Sequence, residues 1–173
     1  MKETVARYIL SAGTNYQHKT YCDNILLNYL GASSVDSVDN SDYQNASIVH
    51  DMNLPVPAKY EATYDTVIDG GVIEHIYNIP QALSNCSALC KPGGQIIHIA
   101  PANNFCGHGF WQISPELFFS LYSEENGYTN TEVYLADLTN LKTWFKVKPP
   151  SDGYRVDVHG KTPLYALVRT VRK

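Results

Sequence analysis

The sequence predicts an α/β fold built on a mostly parallel sheet. Strand-like and helix-like segments alternate along the 173 residues, without an internal repeat or a low-complexity tract. The clearest strand lies within residues 64–76, where residues 66–68 are β-branched and uncharged, as expected of a strand covered on both faces. It runs into Asp69, Gly70 and Gly71 and then into a helical segment. Open α/β sheets end strands in this way at a ligand crevice, so the segment predicts a site.

Three segments before this strand are also predicted to be strands, because each is a short strand-like segment that ends near a turn residue or an acid. They are residues 7–11, 34–38 and 46–50, followed by Gly13, Asp39 and Asp51 respectively. Between the first two, apolar side chains share one helical face over residues 21–30, and Gly31 is the predicted C-cap.

The alternation continues through the rest of the chain. The predicted elements are a helix at 79–90, a strand at 95–100, a helix opened by Ser114, and strands at 132–136 and 164–171. KPGG, residues 91–94, ends the first of these helices, and residues 149–153 mark a turn between the last two strands. The loop PANNFCGHGFWQ, residues 101–112, combines glycines, aromatics and amides, which is typical of a shaped binding surface.

Length and charge narrow the function classes. A chain of 173 residues fits one domain, 1–173, without a separate substrate-binding domain. Its formal net charge is −4 and its Lys and Arg are unclustered apart from the last few residues, so we predict no nucleic-acid partner. No apolar run approaches the roughly 20 residues of a membrane span, and residues 1–10 lack the apolar core of a signal peptide. The expected location is therefore cytoplasmic, without a membrane partner.

The spacing of the four cysteines matches no zinc-binding pattern, and a chain of this length does not need disulfides. They are Cys22, Cys86, Cys90 and Cys106. We therefore predict free thiols. A metal site is the alternative, since Cys86 and Cys90 lie four apart on a predicted helix and are followed by His98, Cys106 and His108. Small cysteines on a helix face are more commonly core residues, so the prediction is that no metal site exists.

The order of these signals resembles that of class I S-adenosylmethionine-dependent methyltransferases. An acid ends strand two, another follows strand three, DGG follows strand four and KPGG precedes strand five. More closely, VIDGGVIEHIYNIPQAL and KPGGQIIHIAPANNFCGHGFWQISPELFF are similar to a bacterial branch of the methyltransferase type 11 group, over residues 5–137. The resemblance implies a Rossmann-like, doubly wound, mostly parallel sheet of about seven strands, with the last strand antiparallel and helices on both faces.

The resemblance also implies S-adenosyl-L-methionine as the cofactor. The cofactor-binding residues that it implies are Ser11, Gly13, Asp39, Asp51, Met52, Asp69, Gly70 and Gly71. Asp39 would accept hydrogen bonds from the ribose hydroxyls, and Asp51 would bind the adenine amino group beside Met52. The DGG segment would line the methionine and sulfonium end. Carboxylates suit these donors because charged acceptors make the stronger hydrogen bonds.

Methyl transfer is an in-line displacement, so alignment and desolvation supply much of the catalysis and few catalytic side chains are needed. For a hydroxyl acceptor a base helps, and His108 is the predicted base with His75 as the second candidate. A local hydrogen bond at a helix start is the alternative role for His75. The predicted lining of the acceptor site is Asn103, Asn104, Phe110, Trp111 and Gln112. This mixed surface predicts a small polar acceptor, such as a sugar or another hydroxyl-bearing metabolite.

Two other functions share part of this pattern. The first loop, SAGTNYQHK, keeps only Gly13 of the glycines that approach the cofactor in the family, and one glycine cannot make every close backbone approach. A non-catalytic methyltransferase-like domain, with a nucleoside-binding or assembly role, is therefore the main alternative. A nicotinamide-dependent oxidoreductase is disfavoured, since the chain lacks GxGxxG after the first strand and KPGG has no role in it.

Overall fold

The computed structural model describes residues 22–42, 45–140, 142–151 and 153–173. The predicted strand at 7–11 lies outside these residues, as do Ser11 and Gly13 of the first loop. The chain divides into two compact units, Met1–His50 and Asp51–Lys173. No helix of the described residues is both long enough and apolar enough to cross a bilayer.

The first unit contains one helix and one pair of short strands. Helix α1 (Asp23–Tyr29) lies where the apolar periodicity predicts it, and Gly31 follows with φ of 74°, a conformation that glycine adopts without steric cost. Strands β1 (Val38–Asp39) and β2 (Ile48–Val49) pair in parallel. Asp39 is the last residue of its strand, as the sequence predicts.

The second unit is built on a five-stranded sheet. Its strands are β3 (Tyr64–Asp69), β4 (Cys90–Asn103), β5 (Tyr128–Asp137), β6 (Trp144–Lys146) and β7 (Leu164–Arg172), in the spatial order β3-β4-β7-β5-β6. Helix α2 (Ile79–Leu89) connects β3 to the parallel strand β4, and this strand-helix-strand crossover is the unit from which α/β folds are built. Helix α3 (Pro115–Leu121) connects β4 to β5. The predicted α/β class is confirmed.

The sheet is mixed where the sequence predicts a mostly parallel one. β7 lies between β4 and β5 and is antiparallel to both, which confirms the predicted antiparallel last strand. β6 folds back on β5 as a third antiparallel pair, so β1–β2 and β3–β4 are the parallel pairs among the described strands. The inserted strand β7 and the β5–β6 hairpin therefore make this sheet mixed. β6 was not predicted, because its three residues are all exposed and show no alternation.

The helices of the second unit pack on one face of its sheet. Buried side chains of α2 and α3 form one apolar cluster with Val67 and Ile96, which are cross-strand partners on β3 and β4. The opposite face carries Ile68 and Ile99, which are 46% and 37% exposed. The run of residues 66–68 predicts a strand covered on both faces, whereas β3 in this unit alternates between covered and exposed positions.

KPGG lies inside the bounds of β4. The helix does end before it, at Leu89. Pairing with β3 begins at Cys90, and the next paired residue of β4 is Gln95, so KPGG forms a bulge in the ladder. A Cβ on Gly94 would lie 2.9 Å from both the Asp65 carbonyl oxygen and Cys90 Sγ, so this bulge requires a glycine. α3 begins as predicted, with Ser114 Oγ accepting a hydrogen bond from Glu116 N at 3.3 Å.

Candidate functional site

The carboxyl end of β3 leads into a loop whose backbone is hydrogen-bonded to the buried side chain of Asp69. Its Oδ1 accepts hydrogen bonds from Val72 N at 2.9 Å and Ile73 N at 3.2 Å, and its Oδ2 lies 2.8 Å from His98 Nδ1. Both carboxylate oxygens of this buried residue are thus used within the protein. Asp69 fixes the conformation of the DGG loop, and its predicted position at the methionine end of a cofactor stays a prediction.

The imidazole of His98 extends this polar chain into the core. Its Nε2 lies 2.6 Å from the Tyr122 hydroxyl, and its ring packs against Phe118 of α3 at 5.3 Å between centroids. Burial raises the pKa of Tyr122 well above its ordinary value. His98 lies in a strand, as the sequence predicts, and it is buried. The hydrogen bonds from Asp69 through His98 to Tyr122 connect the loop after β3 to the carboxyl end of α3.

The two glycines after Asp69 have different surroundings. Gly71 has φ of 93°, and a Cβ there would lie 3.2 Å from Glu74 Oε1. At Gly70 a Cβ would have no atom within 4 Å, so a ligand can approach this stretch of backbone. The loop therefore turns at Gly71 and is open at Gly70.

Glu74 is the functional candidate that the sequence analysis missed. It lies in a short 3-10 turn, Ile73–His75, and its side chain is 0% exposed. Neither carboxylate oxygen has a hydrogen-bond partner. Burial raises the pKa of this carboxyl above its ordinary value, and Asp69 adds to the effect. The acid directly before His75 in the sequence was the available signal, but only its burial distinguishes it from a solvated turn residue.

β4 includes the first three residues of the predicted loop at 101–112, and the rest of that loop is anchored on the backbone of Glu74. Phe110 N and Trp111 N donate to the Glu74 carbonyl oxygen at 2.7 and 3.2 Å, and Trp111 Nε1 donates to the Ile76 carbonyl oxygen at 2.9 Å. A Cβ on Gly109 would lie 2.7 Å from the same Glu74 oxygen, so the close approach depends on glycine. The anchored loop carries His108 to the buried carboxylate.

The two histidines predicted to be catalytic are brought together beside Glu74. His108 Nε2 lies 3.5 Å and His75 Nε2 lies 3.9 Å from Glu74 Oε1, longer than hydrogen bonds. Candidate ligand atoms of the three residues all lie within 4.8 Å of one another. The imidazoles meet edge to face at 5.1 Å between centroids, and their side chains are 50% and 46% exposed for His75 and His108. We call these three residues the Glu-His-His cluster.

The predicted acceptor-site residues divide into two groups. The amides fold the loop: Asn103 Nδ2 donates to the Gly160 carbonyl oxygen, Asn104 Nδ2 donates to the Thr162 carbonyl oxygen, and Gln112 Oε1 accepts from Phe105 N. The aromatic residues Phe110 and Trp111 remain exposed. Their contact with an acceptor stays a prediction for all five.

The remaining predicted cofactor residues hold local turns. Asp39, in the first unit, accepts hydrogen bonds through Oδ1 from Ser41 N and Oγ at 2.9 and 3.0 Å. Asp51, in the second unit, accepts through Oδ1 from Asn53 N and Nδ2 at 2.9 and 2.7 Å. Met52 is partly buried against the core. Such side-chain turns are common for aspartate, and the cofactor roles of these residues stay predictions.

A surface cavity of about 480 Å³ lies elsewhere, beside the amino end of β5. Its lining includes Tyr122, Tyr128 and Pro149 and contains no histidine. Thr129 in this lining pairs with Val171, and Val171 also pairs with Gln95 near the start of β4. The cavity therefore lies at the opposite end of the strands from the DGG loop, at a different place from the one that the titratable groups mark.

No family model matches the chain. A curated protein, prosolanapyrone synthase of Alternaria solani, is 30% identical over 94 residues, which make up 54% of this chain and 4% of that protein. The chain thus spans only a small part of the length of this relative.

Among solved structures the chain is similar to several S-adenosylmethionine-dependent methyltransferases. One from Thermotoga maritima, described as a possible histamine N-methyltransferase, has a TM-score of 0.47 and 17% identity over 79% of this chain and 72% of that one. One from Archaeoglobus fulgidus has a TM-score of 0.48 and 16% identity over 77% and 74% of the two chains. The 1,6-didemethyltoxoflavin-N1-methyltransferase of Burkholderia thailandensis has a TM-score of 0.44 and 18% identity over 80% and 60%.

Proposed function

We propose that the chain is a class I S-adenosylmethionine-dependent methyltransferase that acts on a small polar acceptor, such as a sugar or another hydroxyl-bearing metabolite. The observation that carries this proposal is the Glu-His-His cluster, which follows the carboxyl end of β3, where open α/β sheets bind their ligands. We further propose that one cytoplasmic domain, residues 1–173, performs the reaction.

The cofactor part of the proposal uses the residues predicted from the sequence. The open backbone at Gly70 supports a ligand at the DGG loop, because nothing lies within 4 Å of a Cβ placed there. Asp69 contributes by holding that loop, since its two oxygens are engaged by Val72, Ile73 and His98. The carboxylate thus acts on the cofactor through the loop that it shapes.

In the transfer step the acceptor oxygen attacks the methyl carbon of the sulfonium. The S–CH₃ bond breaks as the O–CH₃ bond forms, the sulfur keeps the bonding electron pair, and the acceptor hydroxyl loses its proton. We assign His108 as the group that receives this proton and His75 as the second candidate. Glu74 Oε1, 3.5 Å from His108 Nε2, stabilises the resulting imidazolium.

The exposed aromatic residues beside the cluster support a small acceptor held away from water. Tyr77 and Phe110 meet edge to face at 6.2 Å between centroids, and Trp111 is fixed by its hydrogen bond to Ile76. Rings of this kind bury the apolar face of a polar metabolite while amides and imidazoles bind its hydroxyls. Desolvation of the acceptor oxygen makes its attack on the sulfonium easier.

Calorimetric titration with S-adenosylmethionine and S-adenosylhomocysteine tests the cofactor assignment first. We expect saturable binding of both at one site. Failure of both to bind at about 1 mM would remove the methyltransferase proposal.

Transfer itself is tested with isotope-labelled methyl donor and a mixture of small hydroxylated metabolites. We expect label in the small-molecule fraction, and we expect H108A to lower turnover more than S-adenosylhomocysteine affinity. The matched control is H159A, since His159 is an exposed histidine paired with Asp157 outside the cluster. Cofactor binding without transfer to any acceptor would instead support the alternative, a non-catalytic methyltransferase-like domain, which the single glycine of the first loop motivates.

A further inference from the structure

The environment of Glu74 is incomplete without a ligand. A buried carboxylate is costly unless hydrogen bonds or opposite charge compensate it, and both oxygens of this fully buried side chain lack a hydrogen-bond partner. The other buried acid of the loop, Asp69, is fully hydrogen-bonded within the protein. The two acids lie five residues apart, so the contrast is a property of the Glu74 position.

The groups that form ion pairs with this carboxylate are two imidazole nitrogens, at separations that suit a shared cation. Two ligand atoms on a tetrahedral zinc ion, with bonds of about 2.0–2.1 Å, lie about 3.3 Å apart. His108 Nε2 is 3.5 Å from Glu74 Oε1, and His75 Nε2 is 3.9 Å from it. Both imidazoles are half-exposed, so small side-chain rotations bring them to bonding distance.

We propose that Glu74, His75 and His108 bind one divalent transition-metal ion of the zinc type. One carboxylate oxygen and two imidazole nitrogens are a donor set that suits zinc and its first-row neighbours, whereas magnesium prefers oxygen donors alone. Three protein ligands leave a coordination position open toward solvent, which is the arrangement of catalytic rather than structural sites. The metal site involves none of the four cysteines.

Gly71 and Gly109 allow the backbone to pass close to Glu74 in this site. Gly71 leaves out the side chain that would lie 3.2 Å from Glu74 Oε1, and Gly109 lets the loop that carries His108 reach the Glu74 backbone. Both glycines have positive φ, so each also supplies a turn that other residues adopt only with strain. The ligand residues are therefore held by backbone features on either side of them.

Metal binding does not depend on methyl transfer. It is, however, an alternative to proton acceptance by His108 at Nε2, because a coordinated nitrogen has no free lone pair. In the metal-bound protein the open coordination position is available to an acceptor hydroxyl, whose proton is lost more readily when its oxygen binds a cation.

The test uses the full chain without a histidine tag, treated with a chelator and titrated calorimetrically with ZnCl₂. We expect one zinc ion per chain and no binding of MgCl₂ in the same range. E74Q and H108A should each weaken zinc binding by about 100-fold or more, since even an indirect partner of a ligand commonly contributes 10- to 100-fold. Circular dichroism establishes that each variant is folded, and H75A with H108A decides the matter if E74Q does not fold.

Two controls exclude other zinc ligands. H159A removes an exposed histidine outside the cluster and should leave zinc binding unchanged. The double variant C22S/C106S removes the exposed thiols and should also bind zinc normally. The cobalt complex should lack the thiolate charge-transfer absorption that cysteine ligation produces. Absence of one-to-one binding, wild-type affinity in H75A and H108A, or loss of binding in C22S/C106S would overturn the proposal.

Discussion

Glu74 differs from the other buried polar side chains that the structure describes, because its two oxygens alone have no hydrogen-bond partner. His98 and Asn85 are as deeply buried, yet their side chains have hydrogen-bond partners. His98 bonds to Asp69 and Tyr122, and Asn85 bonds to the backbone of Leu54 and Val56. A residue that stabilises a fold is expected to be satisfied, whereas one that is kept at a cost to stability is more typical of a functional site. This contrast at single positions is the basis of the function proposed for the cluster.

The cost of Glu74 can be measured by replacing it with glutamine. In metal-free buffer we expect E74Q to raise the free energy of unfolding by about 1 kcal/mol, because a buried carboxylate with no partner becomes a neutral amide of the same shape. Urea denaturation followed by circular dichroism provides the measurement. The control is E116Q, which removes a partly exposed acid paired with Arg155 and should change stability by less than about 0.5 kcal/mol. A clear loss of stability in E74Q would show that the carboxylate has a partner in solution.

Asp69 should respond in the opposite way. We expect D69A to lower the free energy of unfolding by about 3 kcal/mol, since it leaves two backbone amides and His98 without their acceptor in a buried place. Asp65 on the same strand is the matched control, because it is exposed and its partner Lys91 is exposed too. D65A should cost less than about 1 kcal/mol by urea denaturation. Equal losses in the two variants would contradict the structural role of Asp69.

At the scale of elements, the loop between β4 and α3 depends on two glycines that look alike in sequence. Gly107 and Gly109 both have positive φ, so alanine strains the backbone at each by about 1–2 kcal/mol. A Cβ at Gly107 has open space, whereas at Gly109 it would lie 2.7 Å from the Glu74 carbonyl oxygen. Comparing alanine at the two positions therefore distinguishes the effect of backbone strain from the effect of the close approach of the loop to Glu74.

We expect G109A to lose about 2 kcal/mol more stability than G107A and to weaken zinc binding, because the added methyl group pushes the loop and His108 away from Glu74. Thermal unfolding and zinc calorimetry on both variants check this. Similar behaviour of the two variants in both measurements would show that the loop does not rely on this contact.

The elements were predicted from the sequence wherever periodicity is strong, and were missed where it is weak. The buried stripe of α2, at Ala82, Leu83, Cys86 and Leu89, is visible as a 3.6-residue pattern. β6 has three exposed residues and no pattern. The residue types of KPGG predict a break between elements, whereas a bulge lets β4 begin at Cys90. A bulge depends on the partner strand, which a single segment does not reveal.

The candidate site, like the fold, could be predicted from the sequence only in part. His75 and His108 were singled out because imidazole chemistry is visible in the residue type, and the structure places them together. Glu74 was missed because its role follows from burial, which depends on the loop that is anchored on its backbone 36 residues later at Phe110. The amides Asn103, Asn104 and Gln112 have the right chemistry for a binding surface but bond to the loop itself and its neighbours.

At the scale of the whole molecule, the sheet of the second unit is completed by β7. β7, which ends at Arg172, lies between β4 and β5 and pairs with both. Arg172 Nη1 also donates to the carbonyl oxygens of Ser87 at 2.8 Å and Cys90 at 2.6 Å, where α2 ends and β4 begins. The last strand thus holds both the centre of the sheet and the helix that follows the site.

Replacing Arg172 with alanine should therefore lower the free energy of unfolding by about 2 kcal/mol, because two partly buried carbonyl groups lose a charged donor. Arg169 on the same strand is the matched control, since it is exposed and bonds to the side chain of Gln95. R169A should cost less than about 1 kcal/mol in the same urea titration. If R172A loses no more stability than R169A, the carbonyls at the α2–β4 junction are hydrated in solution, and β7 does not hold the helix against the sheet.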